Sequence, residues 1–175
     1  MAEVKNLIAK GYKEIVLIAQ NVNSYRSGRV DFADLLKSVN SIKGDFWVRF
    51  FTSHPKDMSD KLIEAIAWSK KVCRQVHLPA QSGDNKILQA MNRKYSVEHY
   101  NGLIKRLRKA IPEVSITTDL IVGFPGETKK QFKNSVKLFK QAKFDMAYLA
   151  QYSPRPGTAA AKLNDNIPEQ EKLYA

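Results

Sequence analysis

The feature that most constrains this chain is a repeated alternation of strand-like and helix-like segments. An opening helix is read from Val4, Leu7 and Ile8 at helical spacing, with Gly11 as its stop. Strand candidates at 14–19, 46–52, 74–80, 114–121 and 144–151 then alternate with helix candidates at 31–42, 59–70, 84–91, 96–110 and 128–142. The helix starts carry their own signals. Ser59, Asp84 and Ser96 can accept hydrogen bonds from exposed N–H groups, and Thr128 with Gln131 has capping-box spacing. Strands separated by helices need crossover connections, which implies a mainly parallel sheet, either open and doubly wound or rolled into a barrel.

The polar residues within the strands favour the barrel. A central strand covered on both faces should be nearly all apolar, yet Ser115, Thr117 and Asp119 share one parity of a strand, as do His77 and Gln81. A barrel interior that lodges a polar cofactor accounts for this pattern; edge strands of an open sheet are the other reading. Polar residues also gather where each strand hands over to its loop: Gln20-Asn21, Thr52-Ser53-His54, Gln81-Ser82, Asp119, and Tyr152-Ser153 with Arg155. In parallel α/β folds that end of the strands is where ligands bind, because the loops vary while the scaffold holds them. The clusters are therefore expected to meet at one rim.

A length of 175 residues suits one core. No apolar stretch is long enough to span a bilayer and Met1-Ala-Glu-Val-Lys5 lacks a secretory h-region, so no membrane partner and a cytoplasmic location are expected. Cys73 is the one cysteine, which excludes an internal disulfide and any Cys-based metal site completed by this chain alone. The balance of 29 Lys+Arg against 17 Asp+Glu leaves +12, suited to a polyanion such as nucleic acid and equally to a soluble surface. Lys129, Lys133, Lys137 and Lys140 recur at helical spacing, as do Lys105 and Lys109, which reads first as solvated helix faces.

Five segments carry a family resemblance: Gln20-Asn-Val-Asn-Ser-Tyr25; Thr52-Ser-His-Pro-Lys-Asp57; His77-Leu-Pro-Ala-Gln-Ser-Gly83 continuing to Met91-Asn-Arg93; Ile116-Thr-Thr-Asp-Leu-Ile-Val-Gly-Phe-Pro-Gly-Glu-Thr128; and Tyr152-Ser-Pro-Arg-Pro-Gly-Thr158. In this order and spacing they resemble the methylthiotransferase family of radical S-adenosylmethionine (SAM) enzymes. The likeness is greatest to the branch that adds a methylthio group to C2 of N6-isopentenyladenosine next to the tRNA anticodon. Branches acting on threonylcarbamoyladenosine in tRNA or on ribosomal protein S12 are the alternatives, as is a non-catalytic RNA-binding module.

The resemblance implies an α/β fold, a partial (β/α) barrel over 1–158, with 159–175 starting the connection to a C-terminal RNA-binding domain. It implies SAM and [4Fe–4S] clusters as cofactors, the tRNA anticodon stem-loop as substrate and an electron donor as partner. The family's Cys-x-x-x-Cys-x-x-Cys has no counterpart here. The chain is therefore expected to lack the first barrel strand and the cluster loop, to hold no catalytic residue and no metal, and to be inactive alone. It also implies SAM-binding roles for Gln20 and Asn21 (ammonium), Ser53 (ribose), Gln81 and Asp119 (aminoacyl and ribose groups), Arg93 (carboxylate) and Ile121 (adenine). Gly123, Pro125 and Gly126 form the turn beside that adenine, and Tyr152 and Arg155 meet the substrate by stacking and by charge.

Overall fold

The computed structural model describes residues 1–51 and 53–173; Thr52, at the end of the second expected strand, lies outside them. The chain divides into two compact units, residues 1–78 with 105–116 and residues 79–104 with 117–175.

In chain order the first unit holds α1 (Ala2–Ala9), β1 (Glu14–Leu17), β2 (Arg26–Ser27), β3 (Val30–Asp31), α2 (Phe32–Asn40), β4 (Trp47–Phe50), α3 (Asp60–Trp68) and β5 (Gln75–His77). Strands β1 and β4 are parallel, with Ile15 opposite Val48 and Leu17 opposite Phe50. Residue Val48 also exchanges backbone bonds with the segment before β5, its N–H donating to Lys71 O at 2.8 Å and its carbonyl accepting from Cys73 N at 2.9 Å. Helix α2 buries Phe32, Leu36 and Val39, one stripe at helical spacing. The Phe32 and Phe50 rings meet edge to face at 5.3 Å, fixing the helix on the sheet. The polar loop after β1 contains more order than its composition suggests: β2 and β3 form a short antiparallel hairpin around Gly28, whose φ of 58° suits the tight turn.

The second unit holds α4 (Asn85–Ala90), the start of α5 (Val97–Ala110), most of β6 (Ser115–Val122), α6 (Lys129–Ala142), β7 (Met146–Gln151) and α7 (Glu169–Leu173). Strand β6 runs parallel to β7, from Thr117 opposite Met146 to Val122 opposite Gln151, and Gln81 bridges Leu120 on its other edge. The expected polar face of β6 is only partly right. Ser115 and Asp119 are half-buried, whereas Thr117 and Thr118, on opposite parities, are both buried.

Helices begin one residue later than the sequence reading because the polar starter is the cap. Ser59 accepts from Leu62 N, Asp84 from Lys86 N and Ile87 N, Ser96 from His99 N, and Thr128 and Gln131 form a reciprocal capping box. Strand β5 stops at His77, not at 80, ahead of Pro79, which has no N–H to continue a ladder.

Candidate functional site

Six of the expected site residues, Gln81, Arg93, Asp119, Ile121, Tyr152 and Arg155, line one cavity of about 630 Å³ in the second unit. Gln81 is buried and sits at φ 66°, a left-handed conformation costly for a residue with a Cβ. Backbone pairing on both sides holds it there: Gln81 N donates to Asp119 O at 2.8 Å, and Ile121 N donates to Gln81 O at 3.0 Å. Three expected ligands are thus tied through one strand edge.

Arg93 reaches the cavity from the end of α4. Asn92 adopts φ 57°, and Arg93 N donates to Leu88 O at 2.8 Å, which closes the helix end. Arg93 Nε is buried and has no hydrogen-bond partner among the described residues. A buried, unpaired guanidinium nitrogen is costly unless an anion completes it.

The turn after β6 is closed by side chains from within it and from residue 166. Gly123 N donates to Glu127 Oε2 at 2.8 Å, and Gly126 N to Asn166 Oδ1 at 2.9 Å. Burial pushes the Glu127 carboxyl above its ordinary range, against the Gly123 and Phe124 N–H groups that favour the charged form. The close approach that Gly123 permits is taken by Lys172: a Cβ at Gly123 would stand 2.5 Å from Lys172 Cγ. Lys172 Nζ pairs with Asp165 at 2.6 Å and lies 5.8 Å from the Tyr152 ring centroid. Tyr152 packs edge to face on Phe124 at 5.2 Å, and its hydroxyl donates to Ala160 O at 2.9 Å. Its ring is therefore held, while Arg155 is exposed.

The remaining expected residues, Gln20, Asn21 and Ser53, belong to the first unit. Gln20 and Asn21 are exposed, whereas Ser53 is 2% exposed and its hydroxyl has no partner among the described residues. Asn23 anchors their loops. Its Nδ2 donates to His54 O at 2.9 Å and its Oδ1 accepts from His54 N at 2.8 Å, a pairing like that between two backbones. His54 Nδ1 accepts from Lys56 N, so this histidine caps a turn.

Several residues that shape the cavity escape sequence reasoning. Thr118 accepts from Ala80 N at 2.9 Å, and the Tyr95 hydroxyl lies against the carbonyls of Pro79 and Ala80. Gly83 has no room for a side chain, since a Cβ would meet Ser135 Cα at 2.5 Å. Only the last had a signal in the sequence, a glycine directly ahead of a helix cap. Among the described residues no group of three or more His, Cys, Asp or Glu side chains could hold a metal, and no helix is long and apolar enough to cross a membrane.

The sequence profile of the Radical SAM superfamily matches residues 1–139. The chain is 54% identical over 173 residues to a tRNA-2-methylthio-N(6)-dimethylallyladenosine synthase of Clostridium novyi, covering 97% of this chain and 38% of that protein. It is 51% identical over 170 residues to the protein of the same name in Endomicrobium trichonymphae, covering 97% and 41%. It thus spans about two fifths of the length of these curated relatives. Among solved structures, coproporphyrinogen III oxidase (HemN) from Escherichia coli, a radical SAM enzyme, matches with TM-score 0.65 at 19% identity over 81% of this chain and 34% of that one. The radical SAM methyltransferase TsrM from Kitasatospora setae matches with TM-score 0.68 at 15% identity over 86% and 29%. These likenesses settle the α/β class in favour of the radical SAM barrel type over an open doubly wound sheet.

Proposed function

The chain belongs to the radical SAM superfamily, and from that premise we propose that it carries the SAM-binding portion of a tRNA methylthiotransferase acting at C2 of N6-isopentenyladenosine next to the anticodon. The observation that carries the reading is the 54% identity running through 97% of the chain to a synthase of that modification.

The cavity suits SAM chemically. Its unpaired Arg93 Nε calls for an anion such as the methionyl carboxylate, Gln81 and Asp119 offer polar partners for the aminoacyl and ribose groups, and Ile121 offers an apolar edge for adenine. In the first unit the partnerless Ser53 hydroxyl is suited to a ribose, and exposed Gln20 and Asn21 to an ammonium group. When bound, SAM supplies a methyl group and radical chemistry. The part of this chain is to bind and orient: Arg93 fixes one end by charge, the Gln81–Asp119–Ile121 edge fixes the rest, and the Tyr152 ring with Arg155 receives the target base and its phosphate.

A [4Fe–4S] cluster, the superfamily's other cofactor, does not fit these residues, because Cys73 cannot replace three thiolates. The proposal further takes residues 1–158 as the barrel portion and 159–175 as the start of a connection to an RNA-binding domain. The anticodon stem-loop and an electron donor are its partners, in the cytoplasm.

The test is genetic and chemical. Bulk tRNA, digested to nucleosides, and ribosomal protein from a strain lacking the gene for this chain are both analysed by mass spectrometry. Loss of the 2-methylthio form with accumulation of N6-isopentenyladenosine is expected. Loss of methylthiolation from threonylcarbamoyladenosine or ribosomal protein S12 instead would overturn the assignment.

A further inference from the structure

The two arms that bring Gln81 and Arg93 to the cavity are separate in sequence and meet at one side chain. Tyr95 follows Arg93 by two positions, and its hydroxyl lies 3.1 Å from Ala80 O and 3.2 Å from Pro79 O, the carbonyls immediately before Gln81. A single O–H shared between two carbonyls ties the arm after α4 to the turn that opens on Gln81. The other side of the turn is fixed by Thr118, fully buried, whose Oγ1 accepts from Ala80 N and stands 3.3 Å from the Tyr100 hydroxyl. Burial pushes the Tyr95 hydroxyl up to about 12, with the Arg93 charge pulling the other way, so it stays a donor across the physiological range.

The turn needs such holding. Gln81 at φ 66° lies in a region that non-glycine residues leave when released. If it relaxed, its bonds to Asp119 O and from Ile121 N would be lost together, since both run through the same residue.

We propose that Tyr95 is a positioning residue of the cofactor site: its hydroxyl locks the Arg93 arm to the Pro79–Gln81 turn, setting the distance between the carboxylate-binding guanidinium and the Gln81–Asp119–Ile121 edge. The proposal rests on the reading of this cavity as a SAM site. Tyr95→Phe removes the lock and keeps the ring.

Two measurements on the full chain test it, with Ile104→Val, a one-methyl deletion in the buried core of the same unit, as the control of comparable stability loss. In hydrogen exchange, Tyr95→Phe should speed the Gln81 and Ile121 amides by about fivefold relative to the rest of the second unit, the factor for one lost hydrogen bond, while Ile104→Val leaves that ratio unchanged. In calorimetric titration with SAM, Tyr95→Phe should weaken binding by about the same factor and Ile104→Val should not. Unchanged exchange at Gln81 and Ile121, equal weakening by both variants, or a Tyr95→Phe chain whose second unit melts would each overturn the positioning role. If the unaltered chain binds no SAM, the reading of the cavity fails, and the exchange ratio alone still decides whether Tyr95 locks the turn.

Discussion

The loop after β1 and the turns after β5 and β6 are each the handover of a strand to the next element, and the first is built in the opposite way to the other two. In the first unit, Gln20 and Asn21 stand exposed, and the loop is anchored by side chains beyond them, Asn23, paired twice with the His54 backbone, and Ser24, whose hydroxyl donates to Asp57 Oδ2. In the second, the backbone itself is closed: Gly123 and Gly126 donate to Glu127 and Asn166, Gln81 is paired on both sides, and Gly83 is wedged against a helix. One region presents its polar groups on an anchored loop. The other fixes them by hydrogen-bonding and packing the main chain itself. Ligand groups on the second are pre-organised, which lowers the ordering cost of binding.

The largest expected effect tests the packed region. A Cβ at Gly83 would lie 2.5 Å from Ser135 Cα, 2.6 Å from Asn134 O and 2.7 Å from Ser135 N, all backbone of α6, while Gly83 N donates to Ser135 Oγ at 2.8 Å. None of these atoms can rotate away. Gly83→Ala should therefore cost about 3 kcal/mol, at the upper end of overpacking effects, and accelerate hydrogen exchange across the second unit. A tolerated alanine would show that the turn is as adaptable as the first unit's loop, and the contrast would fall.

The same contrast explains what was legible in the sequence. Periodicity and caps located the elements because they are local: Phe32, Leu35, Leu36 and Val39 mark the apolar face of α2, of which all but half-buried Leu35 are buried, and Thr128 with Gln131 announces the start of α6. The gathering of Gln81, Asp119, Tyr152 and Arg155 around one cavity was also legible, because Gln81, Tyr152 and Arg155 follow strands; Asp119, expected at a strand end, lies within β6, three residues before its last residue. The bonds that hold them were not. Tyr95 reaches back across 15 residues to Ala80, and Thr118 reaches Ala80 across 38. Lys172 occupies the space beside Gly123 from α7, a five-residue helix too short to show a period. Contacts of that range leave no period and no motif. The β2–β3 hairpin escaped for a different reason, since two-residue strands are too short to show alternation.

The anchored loop makes the next prediction. Asn23→Ala would remove the acceptor of the His54 N–H and one of the two donors to its carbonyl, which keeps the bond from Asp57 N at 3.0 Å, in a site where Asn23 is 7% exposed. A loss of about 2 kcal/mol is expected, within the range for stranded buried polar groups, with exchange rising in the loops around 20–25 and 53–57. Asn23→Asp keeps the acceptor for His54 N and loses the donor to His54 O, so it should fall between alanine and the native residue. If alanine costs nothing, water replaces the amide and the loop is less anchored than the double pairing implies.

The smallest effects are those of acid, and they should move the two regions in opposite directions. In the first unit, Asp31 accepts from Lys61 Nζ at 2.9 Å and from Asp34 N, which hold its pKa down to about 2. Because the folded value lies below the unfolded one, this contribution is present above about pH 4 and disappears as pH falls toward 2. In the second unit burial raises the Glu127 pKa, so the protonated form is favoured by folding. That contribution is present below the ordinary glutamate value of about 4.3 and is lost as pH rises through the raised one. Urea midpoints read for each unit by pulsed hydrogen exchange between pH 3 and 7 should fall for the first unit at the acid end and gain from Glu127 in the second. Asp31→Asn should flatten the first trend, and Glu127→Gln the second. Partial exposure of both groups keeps these changes small beside the two substitutions above. Parallel curves for the two units, unaltered by Glu127→Gln, would mean that the Glu127 carboxylate is solvated in solution and that the turn after β6 is not closed as tightly as its bonds imply.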